Sequence, residues 1–350
     1  MISTTGRRRQ GANGSALIVV LWTVGLLSLV IASFAFDAHV EARITSFYRK
    51  RGRAETLAHS GLEVAKMLMI KSRKVSEDDE DPADPWLESA QALKKGALSG
   101  LTNALGDGVI TLDMVPEPGR RNINKLGNTD DQVRENLERI LEVGNIPEEL
   151  WPVLTDSFLD WVDANDEPRL DGAESEDYYE TLETPYRAKN GPLDTVGELL
   201  LIRGFNRTIV EGGVLAGEEN PDDGIVVSGI GDLLTTYGRG KVNINAASER
   251  VLRTLPGVDE LVGGAIIEER EGWVDEQGER QRQLFESVGD LFVRIPDLDP
   301  SVRNYVETQS SIYRITSQGE VGNVRREVWC IAEFDGRAKE LKIKRWREND

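Results

Sequence analysis

The stretch SALIVVLWTVGLLSLVIASFAF, Ser15 to Phe36, contains no charged side chain. It holds about 22 residues, roughly 33 Å as a helix, which is enough to cross the hydrocarbon core of a bilayer. Arg7, Arg8 and Arg9 precede it, and basic residues there favour a cytoplasmic leader. Arg43, Arg49, Lys50, Arg51 and Arg53 follow closely, so charge asymmetry alone leaves the orientation open. A small-residue site at Ser33-Phe34-Ala35 keeps a cleaved export signal as an alternative. The run does not stop as an export signal would. It continues as an amphipathic helix, with no proline before Pro82. Val40, Ile44, Phe47, Ala54, Ala58, Leu62, Ala65 and Met69 recur at three- or four-residue spacing. This spacing predicts one rod from Ser15 to about Lys71, roughly 85 Å long. Its first half is apolar all round and its second along one stripe.

Composition narrows the class of the remainder. The chain has 350 residues and a formal net charge of -19, a balance that disfavours a general phosphate-binding surface. The single cysteine, Cys330, precludes an intramolecular disulfide and reads as a buried strand residue. His39 and His59 are the two histidines. Both fall on the long helix, where neither suits a catalytic base. No phosphate loop, zinc spacing or nucleophile elbow is present in the sequence, so no catalytic residue is assigned.

Beyond an acidic linker at Val75 to Trp86, alternation at Val109 to Val115 predicts a strand. Helical patterns follow at Asp130 to Val143, Glu148 to Asn165, Thr195 to Arg203, Ser248 to Leu255, Asp259 to Arg270 and Ser287 to Val293. The end returns to strands at Ser311 to Val321, Val324 to Phe334 and Leu341 to Trp346, with Gly322-Asn323 as a hairpin turn. A helical block is therefore expected between β elements that follow one long helix.

The segment Arg7-Arg8-Arg9-Gln10-Gly11-Ala12-Asn13-Gly14, followed by Ser15-Ala16-Leu17-Ile18-Val19, resembles a prepilin signal. The resemblance implies cleavage after Gly14 by a prepilin peptidase and methylation of the new terminus, Ser15. Two departures stand out. Ser15 replaces the usual bulky apolar residue, and Val19 takes the place where most pilins and pseudopilins carry Glu. An unpaired carboxylate in lipid is costly, and the K-type minor pseudopilins of type II secretion lack that Glu. Phe158-Leu159-Asp160-Trp161-Val162-Asp163-Ala164-Asn165-Asp166-Glu167, Asp171 to Tyr179 and Pro185 to Leu193 are similar to the most recognisable stretch of that family.

The resemblance implies an α+β fold: a long N-terminal transmembrane and amphipathic helix, a pilin-like β-sheet, and a large inserted α-helical domain with helix-hairpin-helix-like elements. The expected domains are a leader over 1–14, a membrane helix over 15–36, a periplasmic helix and the first part of the pilin-like core over 37–119, the insert over 120–305 and the last strands over 306–350. It further implies a single-pass inner-membrane protein with a cytoplasmic N-terminus and a periplasmic C-terminal domain. Its partners would be the I- and J-type minor pseudopilins and the major pseudopilin. The role would be to initiate or cap the secretion pseudopilus at its tip. A minor type IV pilin is the nearest alternative.

Many carboxylates in one loop become favourable when a hard cation neutralises them. Asp163, Asn165 and Glu167 alternate as in a calcium loop, but Pro168 stands where an EF-hand needs Gly. A non-standard calcium loop is expected, with Asp163, Asn165, Asp166, Glu174 and Asp177 as candidate ligands. The family resemblance supports calcium.

Lys241 to Ser248, Val251 to Val258 and Ala265 to Arg270 resemble a helix-hairpin-helix module, with Arg121 to Leu126 as a degenerate echo of its start. Such modules often hold DNA phosphate, which raises the alternative of a membrane-anchored DNA receptor. Seven Lys and Arg against eleven Asp and Glu between Lys241 and Ile295 argue for packing instead, with no nucleic-acid partner.

Overall fold

The computed structural model describes residues 13–78, 108–216, 224–274, 280–281, 283–335 and 340–349. The leader before Asn13 lies outside them. Helix α1 (Asn13–Asp78) is continuous for 66 residues. It runs past the expected end at Lys71, because nothing from Ser72 to Asp78 breaks a helix and the first proline is Pro82. Val75 to Asp78 of the expected linker are therefore helical, and Asp79 to Trp86 lie outside the described residues. Side chains from Leu17 to Phe36 are exposed, and the stretch is long and apolar enough to cross a membrane. Of the predicted stripe, Val40, Ile44 and Phe47 remain open, whereas Ala54, Ala58 and Ala65 are fully buried. Packing thus begins near Ala54.

Strand β1 (Gly108–Pro116) has inward residues alternating with outward ones. Near the far end of the chain come β10 (Ile312–Val321), β11 (Val324–Asp335) and β12 (Glu340–Asn349). These four form an antiparallel sheet in the order β1-β10-β11-β12. Gly322, at φ 62°, turns β10 into β11 as the Gly-Asn pair predicts. The sheet lies on the outer half of α1, with Leu112, Met114, Tyr313, Ile315, Cys330 and Phe334 buried around Ala65. Burial pushes the Cys330 thiol up to about 11. The approach of helix to sheet is close. A Cβ at Gly319 would collide with the backbone of Ala54, and one at Gly61 with Ser317 Oγ.

Between β1 and β10 runs the helical body, which has its own hydrophobic core. In chain order it holds β2 (Arg121–Asn122), α2 (Asp130–Val143), α3 (Trp151–Val162), α4 (Arg207–Glu211), β3 (Gly213–Leu215), β4 (Ile225–Val227), β5 (Leu234–Thr235) and β6 (Val242–Asn243). There follow α5 (Glu249–Arg253), α6 (Glu260–Glu271), β7 (Trp273–Val274), β8 (Arg280–Gln281), α7 (Val288–Arg294) and β9 (Val306–Glu307). Side chains cap five of these helices: Asn206 caps the unexpected α4, and at the four expected ones Thr129, Ser248, Asp259 and Ser287 each accept from a backbone N–H in the first turn. That is why the starts of those four could be read from sequence.

Three expected boundaries shift. Glu148 to Leu150 is a 3-10 turn, and α3 ends at Val162 rather than Asn165. There Asp163 Oδ1 accepts from Asn165 N and offers the chain a turn in place of another helical bond. Thr195 to Arg203 is a 3-10 helix over Val196–Leu201.

The body is built twice from one plan. Arg121-Asn122-Ile123-Asn124 and Val242-Asn243-Ile244-Asn245 occupy matching places. Asn122 Oδ1 accepts from Asn124 N at 3.0 Å, and Asn243 Oδ1 from Asn245 N at 2.9 Å. Asn124 then pairs with both backbone groups of Leu193, and Asn245 with both of Phe285, at 2.8 to 2.9 Å. Those partners open Leu193-Asp194-Thr195-Val196-Gly197-Glu198-Leu199 and Phe285-Glu286-Ser287-Val288-Gly289-Asp290-Leu291. In each the acid turns back onto the backbone: Glu198 accepts from Asp194 N and Thr195 N, Asp290 from Glu286 N. Each half closes on a two-residue parallel pair, β2 with β5 and β6 with β9. Buried Arg121 ties the halves together, donating to Thr254 O at 3.0 Å and Asn136 Oδ1 at 2.8 Å. Burial lowers its guanidinium to about 10.

Candidate functional site

In the first half, residues 163–192 separate α3 from the Leu193 turn. In the second, residues 272–284 do the same work. The longer connection is the acidic run.

Its centre is a cation supplied by the chain itself. Arg169 Nη1 donates to Asp160 at 2.5 Å and Asp163 at 2.7 Å, and Nη2 to Asp130 at 2.6 Å. Burial works against the Arg169 charge, but these three bonds outweigh it and hold the guanidinium above its ordinary value. Asp160, wholly buried, also accepts from Arg169 N. It lies so close to the turn that a Cβ at Gly172 would strike its carboxylate. Asp156 accepts from Asp171 N at 3.1 Å and pairs with Arg134. Aromatic packing closes the floor: Trp161 meets Tyr179 edge-on at 5.1 Å, and Tyr179 meets Tyr186 at 5.3 Å.

The five residues proposed from sequence occupy one loop in different states. Asp163 is half-buried and already bonded to Arg169. Exposed Asn165 uses its side-chain oxygen to accept from Glu167 N at 2.8 Å. Exposed Asp166 accepts from Asn190 Nδ2 at 2.8 Å. Asp177, also exposed, accepts from Glu174 N at 2.8 Å.

Glu174 differs from the other four. It is 2% exposed, and neither carboxylate oxygen has a hydrogen-bond partner. Burial, together with the charges of Asp160, Asp163 and Asp166, raises its carboxyl to about 7. A buried carboxylate without a partner is costly. Asn190 Oδ1 is also buried and unpartnered, while its amide reaches Asn165 O and Asp166. Unpartnered carboxylate and amide oxygens are the kind of ligand a hard cation takes. In the sequence, Asn190-Gly191-Pro192 reads as a turn, a reading that does not single out the side chain of Asn190. Its φ of 48° confirms that turn, but its side chain serves the loop as well. Arg169 was missed as the loop's internal counter-ion.

The helix-hairpin-helix elements pack as α5 and α6, with Leu252, Leu255, Val258 and Ile266 in the core. Arg270 donates to Ile244 O and Ala247 O, both at 2.8 Å. It closes the turn between β6 and α5 and is not offered to solvent.

Comparison with known proteins agrees with this architecture. The family model for type II secretion system (T2SS) protein K, first domain, matches residues 119–212. Type II secretion system protein K of Pseudomonas aeruginosa PAO1 is 29% identical over 207 residues, 56% of this chain and 58% of that protein. The match thus spans less than two thirds of the relative's length. A chain in the crystal structure of the GspK-GspI-GspJ complex from the enterotoxigenic Escherichia coli type 2 secretion system superposes with a TM-score of 0.59. It is 14% identical, and the superposition covers 89% of this chain and 99% of that one. At that identity the likeness concerns the fold, and it agrees with the α+β class expected from the sequence. Residues 119–212, which contain the acidic run, are thus similar to the first domain of type II secretion system protein K, as the sequence resemblance implied, and they sit in a chain whose fold is similar to that of a chain in that complex.

Proposed function

We propose that the chain is a minor pseudopilin of a type II secretion system, anchored in the inner membrane by α1, with its sheet and helical body in the periplasm. One observation carries this. A single helix is exposed and apolar over one half and buried against a four-stranded sheet over the other. Such a rod gains by bundling with similar rods. The I- and J-type minor pseudopilins and the major pseudopilin are its expected partners. The helical body between β1 and β10 widens the head and would obstruct subunits stacked above it, which favours the tip, where the chain would initiate or cap assembly. The role is structural and involves no catalysis. Exposed Glu268 and Glu269 on α6 count against a DNA surface there.

Processing after Gly14 by a prepilin peptidase, with methylation of Ser15, belongs to this proposal. Mass spectrometry of the mature amino terminus tests it. A methylated Ser15 is expected; a terminus near Phe36, with the membrane half discarded, overturns the pseudopilin reading.

Calcium belongs to it as well. The unpartnered oxygens of Glu174 and Asn190, with Asp163 and Asp166 beside them, would hold the ion, and Asn165 and Asp177 shape the loop around it. The ion would neutralise Glu174 and Asp166, with which Arg169 makes no ion pair, and would share Asp163 with it. Thermal melts with calcium and with a chelator test this: a higher midpoint with calcium is expected, and superimposable curves would rule the ion out.

A further inference from the structure

A second group of metal-type ligands lies away from the acidic loop, where helix α1 meets the last strand. Glu55 and His59 are one turn apart on α1, on the same face. Glu348 comes from β12, where it is paired opposite Val328. One ligand atom from each of the three lies within 4.8 Å of the others. His59 Nε2 stands 3.3 Å from Glu348 Oε1. Two ligands at zinc bonds of about 2.0 to 2.1 Å stand roughly 3.3 Å apart in a tetrahedron, so this spacing suits a shared ion.

The imidazole is held in place. Trp346 is two residues before Glu348, on the same strand face, and packs on the His59 ring at 5.5 Å between centroids. All three ligands are part-exposed or exposed, so an ion can enter and keep water as a fourth ligand. An imidazole with two carboxylates selects a transition cation over calcium or magnesium, which prefer oxygen ligands alone.

We infer that Glu55, His59 and Glu348 form a binding site for a zinc-type divalent cation that clips edge strand β12 to helix α1. The ion bridges residues on the first and last elements of the fold.

The test is a zinc titration of the full chain in detergent micelles, in calcium-saturated buffer so that the acidic loop does not compete. Cobalt absorption in the visible reports ligand geometry. One saturable zinc site is expected, weakened at least tenfold in His59→Ala and in Glu348→Gln, with cobalt bands of tetrahedral intensity. Glu55→Gln, a change of nearly equal size on the helix surface, should weaken binding at least threefold while leaving the circular dichroism unaltered. It serves as the readout if His59→Ala disturbs folding. Absence of saturable zinc uptake overturns the inference, as does uptake that Glu55→Gln and Glu348→Gln leave unchanged.

Discussion

The two halves of the helical body share a frame and differ in what they hang on it. Both start from an Asn-Ile-Asn turn, pass through two helices and return to a Val-Gly turn locked by the second asparagine. In the second half this lock is deeply buried: Asn243 and Asn245 are 0% and 2% exposed, and Asn245 also donates to Thr308 O. In the first half Asn124 is only half-buried, and the space between α3 and the Leu193 turn holds the acidic connection. One copy therefore keeps the plan as structure, while the other carries a charged loop around Glu174. A duplicated unit can diverge in this way because the frame depends on few side chains and the connection can lengthen at small entropic cost.

The largest effect that would break the comparison lies in the lock. Asn245→Ala strips both backbone groups of Phe285 of their partner in a buried setting, at about 3 kcal/mol or more. Asn124→Ala should cost roughly half as much, about 1 to 2 kcal/mol, because water reaches that turn. Urea unfolding of the detergent-solubilised chain checks both, and equal losses would mean that the halves do not differ in this respect.

The charged loop yields the next effect. The Glu174 carboxyl stands at about 7, against an ordinary 4.5, so the folded state holds its proton more tightly than the unfolded one. In chelator, the contribution of this group to stability should then be complete below pH 4.5, fall as pH rises to about 7, and level off above that. That contribution falls by about 3 kcal/mol across the range. Glu174→Gln should flatten this part of the profile and remove the rise expected with calcium.

Smaller still is the turn-back acid. Glu198→Ala and Asp290→Ala should each cost about 1 kcal/mol, read as a shift in melting midpoint. Glu198 should be the more costly, because Lys189 loses a partner at 2.8 Å. The smallest expected effect is zero: the full chain in micelles should not retard duplex DNA at low salt. Tight, salt-sensitive retardation would give the second half a function that the comparison denies it.

Much of the frame could be read from the sequence because it depends on local chemistry. Thr129, Ser248, Asp259 and Ser287 announced their helices, Gly322-Asn323 its hairpin, and the alternation of Val109 to Val115 its strand. Helix α4 and the pairs β2–β5, β3–β4 and β6–β9 escaped, since two to five residues are too few to show a period. The duplication surfaced as one echo, Arg121 to Leu126. Its second signal, Leu193 to Leu199 beside Phe285 to Leu291, was hidden by connections of unequal length. At the acidic loop the residue types pointed to a cation, but burial decides which oxygens are left without partners. Nothing local distinguishes Glu174 from Glu176, yet the fold buries the first and exposes the second.

The close seam between α1 and the sheet also has a mechanical meaning. Gly61 fits against Ser317 and Gly319 against Ala54, so each element carries a notch for the other. Sliding the helix by one residue would drive side chains into backbone on both sides, and a packed interface resists that more than a smooth greasy one. Traction applied to the apolar end of the rod is then borne by the head without slippage, as through the splines of a driven shaft.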